Sequence, residues 1–199
     1  MKPQFHFDAA THTYTLDGVR VPSVTQIIQS LLPLPPIDPW YLERGRATHL
    51  ACELLDRGTL DWSSVDSEIE PRVRAWEKFR QDWPAEILAN ELPLASEKYQ
   101  FAGTLDRMLI SDRVAPTLID LKNSFSPQYY LQLAGYSILW RENRPVKPYN
   151  AGAVELRDDG TYRCHWMTRY ELQTAEQQFL ALLTVYGFAT KHNLLKGKS

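Results

Sequence analysis

Ile119-Asp120-Leu121-Lys122 places a carboxylate and an ammonium two residues apart on a predicted strand. Residues i and i+2 of a strand leave the same face, so Asp120 and Lys122 share one side while Leu121 points to the other. Asp106, in Gly103-Thr104-Leu105-Asp106, lies on the preceding predicted strand, and a hairpin centred near Arg113 sets it opposite Asp120. Two carboxylates then converge beside one ammonium. Such a pair repels unless a cation neutralises it, and hard oxygen ligands with open water positions suit Mg²⁺ or Mn²⁺. A divalent cation there polarises a phosphodiester and stabilises charge on the leaving oxygen, while Lys122 orients water or offsets charge in the transition state. An isolated Asp-x-Lys more often ends an ordinary surface strand, so this reading depends on companion residues.

Gly45, His49 and Glu53 follow one face of a predicted helix at i, i+4 and i+8. A neutral imidazole needs a partner to fix its tautomer, and Glu53 supplies one, whether His49 ligates a metal or only forms a local hydrogen bond. Gln132 and Tyr136 are also one helical turn apart. In one reading both face a groove, Gln132 holding a phosphate or water and Tyr136 donating to a phosphate or stacking on a base. In the other, Tyr136 packs in the core with Tyr129, Leu133 and Trp140 while Gln132 faces solvent.

The elements that must position these groups follow from punctuation and period. Residues 5–21 alternate around Asp17-Gly18 as a β-hairpin. Ser23 caps a helix to residue 32, which the Pro33-Leu34-Pro35-Pro36 run ends. Asp38-Pro39 opens a second helix that stops near Gly58, and 67–83 form a third. Runs 87–94, 99–110 and 117–121 read as strands, followed by a helix over 128–141. Residues 151–157 and 161–167 flank Asp158-Asp159-Gly160 as a second hairpin. A final helix covers 170–192, ahead of a frayed end at 193–199. This order predicts one α/β domain over 1–199, with a mixed central sheet flanked by helices and residues 1–22 as an accessory hairpin.

With 199 residues and 44% hydrophobic content, the chain has enough apolar surface for one substantial core. It shows neither a signal peptide nor a membrane span, and the expected compartment is the cytoplasm. A net charge of −2 argues against tight non-specific nucleic-acid binding by the whole surface, but permits a local basic path beside an acidic centre. Cys52 and Cys164 are too few for a disulfide framework and form no Cys-x-x-Cys pair.

Four elements in order carry a family resemblance: Arg44-Gly45-Arg46-Ala47-Thr48-His49 with Glu53, Gly103-Thr104-Leu105-Asp106, Asp120-Leu121-Lys122, and Gln132-x-x-x-Tyr136. Together they resemble the RecB-like and phage exonuclease-like branch of the PD-(D/E)XK nuclease superfamily, over about residues 21–140. The N-terminal hairpin with Val21-Pro22-Ser23-Val24-Thr25 is similar to phage-encoded members. The resemblance implies a restriction-endonuclease-like fold and an Mg²⁺- or Mn²⁺-dependent deoxyribonuclease, an exonuclease in phage or prophage replication, recombination or repair. It implies that Asp106 and Asp120 bind the metal with the Leu121 carbonyl and His49, and that Lys122 is the catalytic amine. Glu91, in Asn90-Glu91-Leu92-Pro93, matches an acidic position upstream of the Gly-Thr-x-Asp strand, and reads equally well as an exposed strand residue. The implied partners are DNA, a recombination or annealing protein, and further copies of the chain.

Two departures stand out. Lys122-Asn123-Ser124 replaces the family's common Lys-Thr-Gly, and the four-cysteine clamp of some relatives is absent, so no iron–sulfur cluster is expected. The competing function is a non-catalytic DNA-binding or complex-assembly subunit, against which the intact Asp106, Asp120 and Lys122 argue.

Overall fold

The computed structural model describes residues 3–33, 35–36, 38–111 and 115–195. The expected hairpin centre at Arg113 and residues 196–199 of the expected frayed end therefore lie outside the described residues. Residues 5–21 form two hairpins rather than one: β1 (Phe5–Asp8), β2 (Thr13–Leu16) and β3 (Val19–Val21) make an antiparallel sheet. Asp17 and Gly18, both at positive φ, close the β2–β3 turn with Leu16 facing Val19. The first turn carries no glycine or proline. The Asp8 carboxylate shapes it instead by accepting from the amides of Ala10 and Thr11.

Ser23 caps α1 (Val24–Leu31) in a reciprocal box with Gln26. The Asp38 carboxylate accepts from the Trp40 amide, and Pro39 opens α2 (Pro39–Asp56). The third helix, α3 (Glu70–Asp82), starts three residues later than the period suggests, because Pro71, lacking an N–H, sits in its first turn. The main sheet runs β4 (Glu86–Ser96), β5 (Phe101–Ile110), β6 (Thr117–Lys122), β7 (Asn150–Leu156) and β8 (Tyr162–Met167) in that spatial order. All neighbours are antiparallel except β6 and β7, whose parallel pairing requires the crossover supplied by α4 (Gln128–Asn143). Last comes α5 (Arg169–Lys191), capped by Thr168 and Glu171. Among the described residues, no helix is long and apolar enough to cross a membrane.

The sheet is therefore mixed and covered on both faces. Val24 and Ile27 of α1, Leu133 and Tyr136 of α4, and Phe179 of α5 form a core on one side. On the other, Cys52 of α2 and Trp76 and Phe79 of α3 pack against Leu109, Ile119, Leu121 and Val154. Leu105 belongs to the first core and Leu109 to the second, although strict alternation sets residues four apart on one face. The inversion coincides with Glu91 on β4, at φ 46°. There the β4–β5 register passes from Leu92↔Leu105 to Asn90↔Arg107, skipping the Glu91/Asp106 pair.

Gly152 on β7 lies beneath the Trp166 indole of β8, and a Cβ at this position would fall 2.3 Å from Trp166 Cε3. Gly152→Ala should cost about 1–3 kcal/mol of overpacking, lowering Tm by roughly 2–12 °C for a chain of this length. A thermal melt of the variant checks this, and an unchanged Tm would show that the indole does not need the space.

Candidate metal centre and groove

The β4–β5 irregularity faces the first half of α2 across a groove of about 750 Å³, into which the end of β6 also opens. His49 Nδ1 lies 3.6 Å from Asp106 Oδ2 and 3.7 Å from Glu91 Oε1. These three residues each offer one ligand atom within 4.8 Å of the others. Glu91 reaches this position from a left-handed backbone, a conformation costly for a non-glycine residue in a strand and found where a site over-determines it.

His49 Nε2 lies 3.1 Å from the Leu121 carbonyl oxygen. The tautomer that donates from Nε2 to this carbonyl leaves the Nδ1 lone pair facing the two acids, as a metal ligand requires. The Leu121 carbonyl thus takes the orienting role assigned to Glu53. Glu53 pairs instead with Arg57, one turn on, at 2.5 Å. It lines the groove without a hydrogen bond to His49.

Asp106 and Asp120 follow the expected register, in that β5 and β6 pair through Arg107↔Ile119, but the ladder ends there. The Asp106 carboxylate then accepts the Leu121 amide at 2.7 Å in place of a backbone partner. Burial pushes Asp106 up, yet the charges of His49, Lys122 and Arg107 and the Leu121 amide outweigh it and hold the carboxyl below its usual range. Asp120 is completely buried, and its carboxyl is pushed up to about 7 by burial, with the nearby Asp106 charge adding to the effect.

Lys122 Nζ sits 2.6 Å from Asp120 Oδ2 as an ion pair, but neither Asp120 oxygen receives a hydrogen bond of good angle. A buried carboxylate left this way is costly, and a cation would relieve it. The donor set fits a divalent metal: one imidazole nitrogen and two carboxylates converge, with the under-satisfied Asp120 behind them. The convergence differs in one respect from the sequence expectation. His49, Glu91 and Asp106 form the cluster, while Asp120 engages Lys122.

Gln132 and Tyr136 are joined, the amide Nε2 donating to the Tyr136 hydroxyl at 2.8 Å. The Tyr136 ring lies in the core over Gly103, where a Cβ would come within 2.9 Å of Cε1, so base stacking on this ring is ruled out by packing. Burial, with the charges of Asp120 and Asp106, holds its phenol protonated. Two other tyrosine rings line the groove, Tyr41 and Tyr129, the latter with Lys122 Nζ 4.8 Å from its centroid.

Sequence reasoning missed the buried network behind the cluster. The Arg107 guanidinium, with no exposed surface, donates from Nη1 to Glu91 Oε1 at 2.8 Å and from Nε to Asp56 Oδ2 at 2.9 Å. Trp76 Nε1 donates to the other Asp56 oxygen. The position of Arg107, directly after Asp106, is the only local signal. Arg44 and Arg46 also went unassigned; they line the groove, and neither pairs with a carboxylate among the described residues.

No protein-family model matches the sequence, and no curated protein matches it. Among solved structures, it is similar to an alkaline exonuclease from Laribacter hongkongensis, with 14% identity and a TM-score of 0.41 over 86% of this chain and 92% of that one. The structure of that protein in complex with dAMP gives 14% identity and a TM-score of 0.42, covering 87% and 93%. A candidate exonuclease from Eubacterium rectale gives 12% identity and a TM-score of 0.47, covering 81% and 73%. Similarity at this level carries no residue's role across to this chain.

Proposed function

We propose that this chain is a divalent-metal-dependent deoxyribonuclease of the PD-(D/E)XK type. The observation that carries the reading is the meeting, in one groove, of the His49, Glu91 and Asp106 ligand atoms with the buried Asp120–Lys122 pair. His49, Glu91 and Asp106 would hold Mg²⁺ or Mn²⁺, with Asp120 close behind. The metal, when bound, supplies Lewis acidity and charge neutralisation at the phosphoryl group.

The protein's own groups account for the rest. Lys122, held by Asp120 and capped by Tyr129, presents a fixed cation where charge develops as water adds to phosphorus and the sugar oxygen leaves. The products are a phosphate monoester and an alcohol. Arg44 and Arg46, which pair with no carboxylate among the described residues, offer cations to the flanking phosphates, a local basic path on a chain of net charge −2. The exonucleolytic mode and a role in phage or prophage replication, recombination or repair rest on the motif resemblance of α2, β5, β6 and α4.

Incubation with 5′- and 3′-labelled linear and circular DNA, with Mg²⁺, with Mn²⁺ and with chelator, tests the reading. Metal-dependent loss of label from linear DNA is expected. Binding without cleavage in every metal condition would instead identify a non-catalytic DNA-binding subunit.

The ligand assignment has its own check. His49→Ala should weaken Mn²⁺ binding at least about tenfold. Glu53→Ala, which breaks the pair with Arg57, should leave it within about twofold, in keeping with the small worth of a helical pair whose arginine is exposed. Calorimetric titration measures both, and equal affinities in the two variants would remove His49 from the ligand set.

A further inference from the structure

Away from the groove, on the α3 face of the sheet, a second cavity of about 420 Å³ opens where β6 begins. Thr117 in its lining is five residues before Lys122, about 17 Å along the strand at ~3.3 Å per residue. Its inner wall is apolar, formed by Phe79, Leu109 and Ile119. At its mouth are two partly exposed tryptophans, Trp83 and Trp166, in contact at 5.2 Å between centroids and tilted by 50°.

The Trp166 indole rests against Gly152, where the missing Cβ leaves it room. Asn150 reaches the same lining, and its side-chain amide has no hydrogen-bond partner among the described residues. Next to Asn150 and Thr168 in the chain stand two more exposed aromatics with a cation, Tyr149 and Tyr170 with Arg169, whose guanidinium lies 5.4 Å from the Tyr149 ring. Neither Arg169 nor Lys147 pairs with a carboxylate among the described residues.

We propose that this cavity is a second nucleic-acid site that takes one unpaired nucleobase, stacked on the Trp83 and Trp166 indoles and held at its edge by Asn150. The choice of a base rests on the proposed action on DNA. It also follows from the lining itself: two partly exposed indoles at the mouth and, beside them, an Asn150 amide with no hydrogen-bond partner among the described residues. Aromatic side chains on which successive bases stack hold single strands without sequence preference. An Asn amide adds edge hydrogen bonds of the kind that bases accept. The volume lies in the ~300–1,000 Å³ range of small-ligand sites. The site would hold either the displaced strand of a substrate or a released mononucleotide.

The test uses the full chain in chelator, so that no strand is cut, and reads fluorescence anisotropy of a labelled oligothymidylate of about 12 nucleotides, within the span of single-strand sites. Trp83→Leu and Trp166→Leu keep the apolar surface and remove the stacking face. Each should weaken strand binding by about 5- to 100-fold. Competition with thymidine monophosphate separates the two sources: displacement in the parent but not in the leucine variants marks a nucleotide site, and displacement only by longer strands marks a strand path. Should either leucine variant fold poorly, Arg169→Ala, on the surface, should lower the salt slope of binding by about 0.7–1. Parental strand affinity in both leucine variants, or a parental salt slope in Arg169→Ala, would overturn the proposal. Metal-dependent cleavage, assayed separately on the same proteins, would still report on the nuclease reading.

Discussion

Asp120→Asn and Lys122→Ala should each reduce metal-dependent DNA cleavage by about 10²–10³-fold or more, the scale of removing one preorganised charge-stabilising group. Both side chains act from fixed positions: Asp120 is fully buried and Lys122 is partly buried, with 2.6 Å between the carboxylate and the ammonium. The first substitution keeps the shape and removes a charge; the second removes the cation. Near-parental cleavage by both purified variants, with unchanged circular dichroism, would sink the site assignment.

The same pair should separate in stability. Asp120→Asn removes a buried negative charge from beside Asp106, so its metal-free form should melt no lower than the parent. Lys122→Ala leaves that charge less compensated and should melt lower. Added Mg²⁺ should raise the parent's Tm by mass action, and raise that of Asp120→Asn less. An equal rise in both would detach Asp120 from the metal centre.

Local chemistry made much of the frame legible. Ser23 with Gln26, and Asp38 with Pro39, start their helices through side-chain acceptors and a missing N–H that act within three residues, so their positions could be read directly. Asp120 and Lys122 share a face for an equally local reason, the two-residue period of a strand. What was not legible depends on groups distant in the chain. A left-handed glutamate in a strand is unfavourable in isolation, and Glu91 holds that conformation with Arg107 and His49 on its carboxylate, 16 and 42 residues away. For the Tyr136 ring the family resemblance favoured the groove over the core, while helical spacing places a side chain on a face without saying what covers it. Gly103, on strand β5, supplies the space that draws it inward. Glu53 was assigned to His49 by its i+4 spacing, but Arg57 sits at the same spacing on its other side and carries the opposite charge.

Arg107→Leu should be among the most destabilising single changes in the chain. The guanidinium has no exposed surface and neutralises Asp56, itself about 1% exposed, while also donating to Glu91. Burial alone would push the guanidinium toward its neutral form, but the charges of Asp106, Asp56 and Glu91 reverse that and keep it firmly protonated. Removing it leaves Asp56 with the Trp76 indole, the Asn90 amide and Arg80, the last two 3.5 Å away, and leaves Glu91 with His49 among the described residues. Breaking one side of a buried ion pair costs about 3–5 kcal/mol, which corresponds to a fall in Tm of roughly 6–20 °C for a chain of this length. Much of that cost is the uncompensated Asp56 charge, so adding Asp56→Asn should recover part of it, and the double variant should be at least ~1 kcal/mol more stable than the sum of the singles. At permissive temperature the effect should reach the site: with its carboxylate no longer held, Glu91 should bind Mn²⁺ less well, by about 10–100-fold as for other outer-shell partners of metal ligands. Arg80→Ala, which touches the same Asp56 from a partly exposed position, should change neither property as much. If Arg107→Leu melts within a few degrees of the parent and titrates Mn²⁺ with parental affinity, then Glu91 holds its strained backbone without Arg107, and the buried network has no part in setting the site.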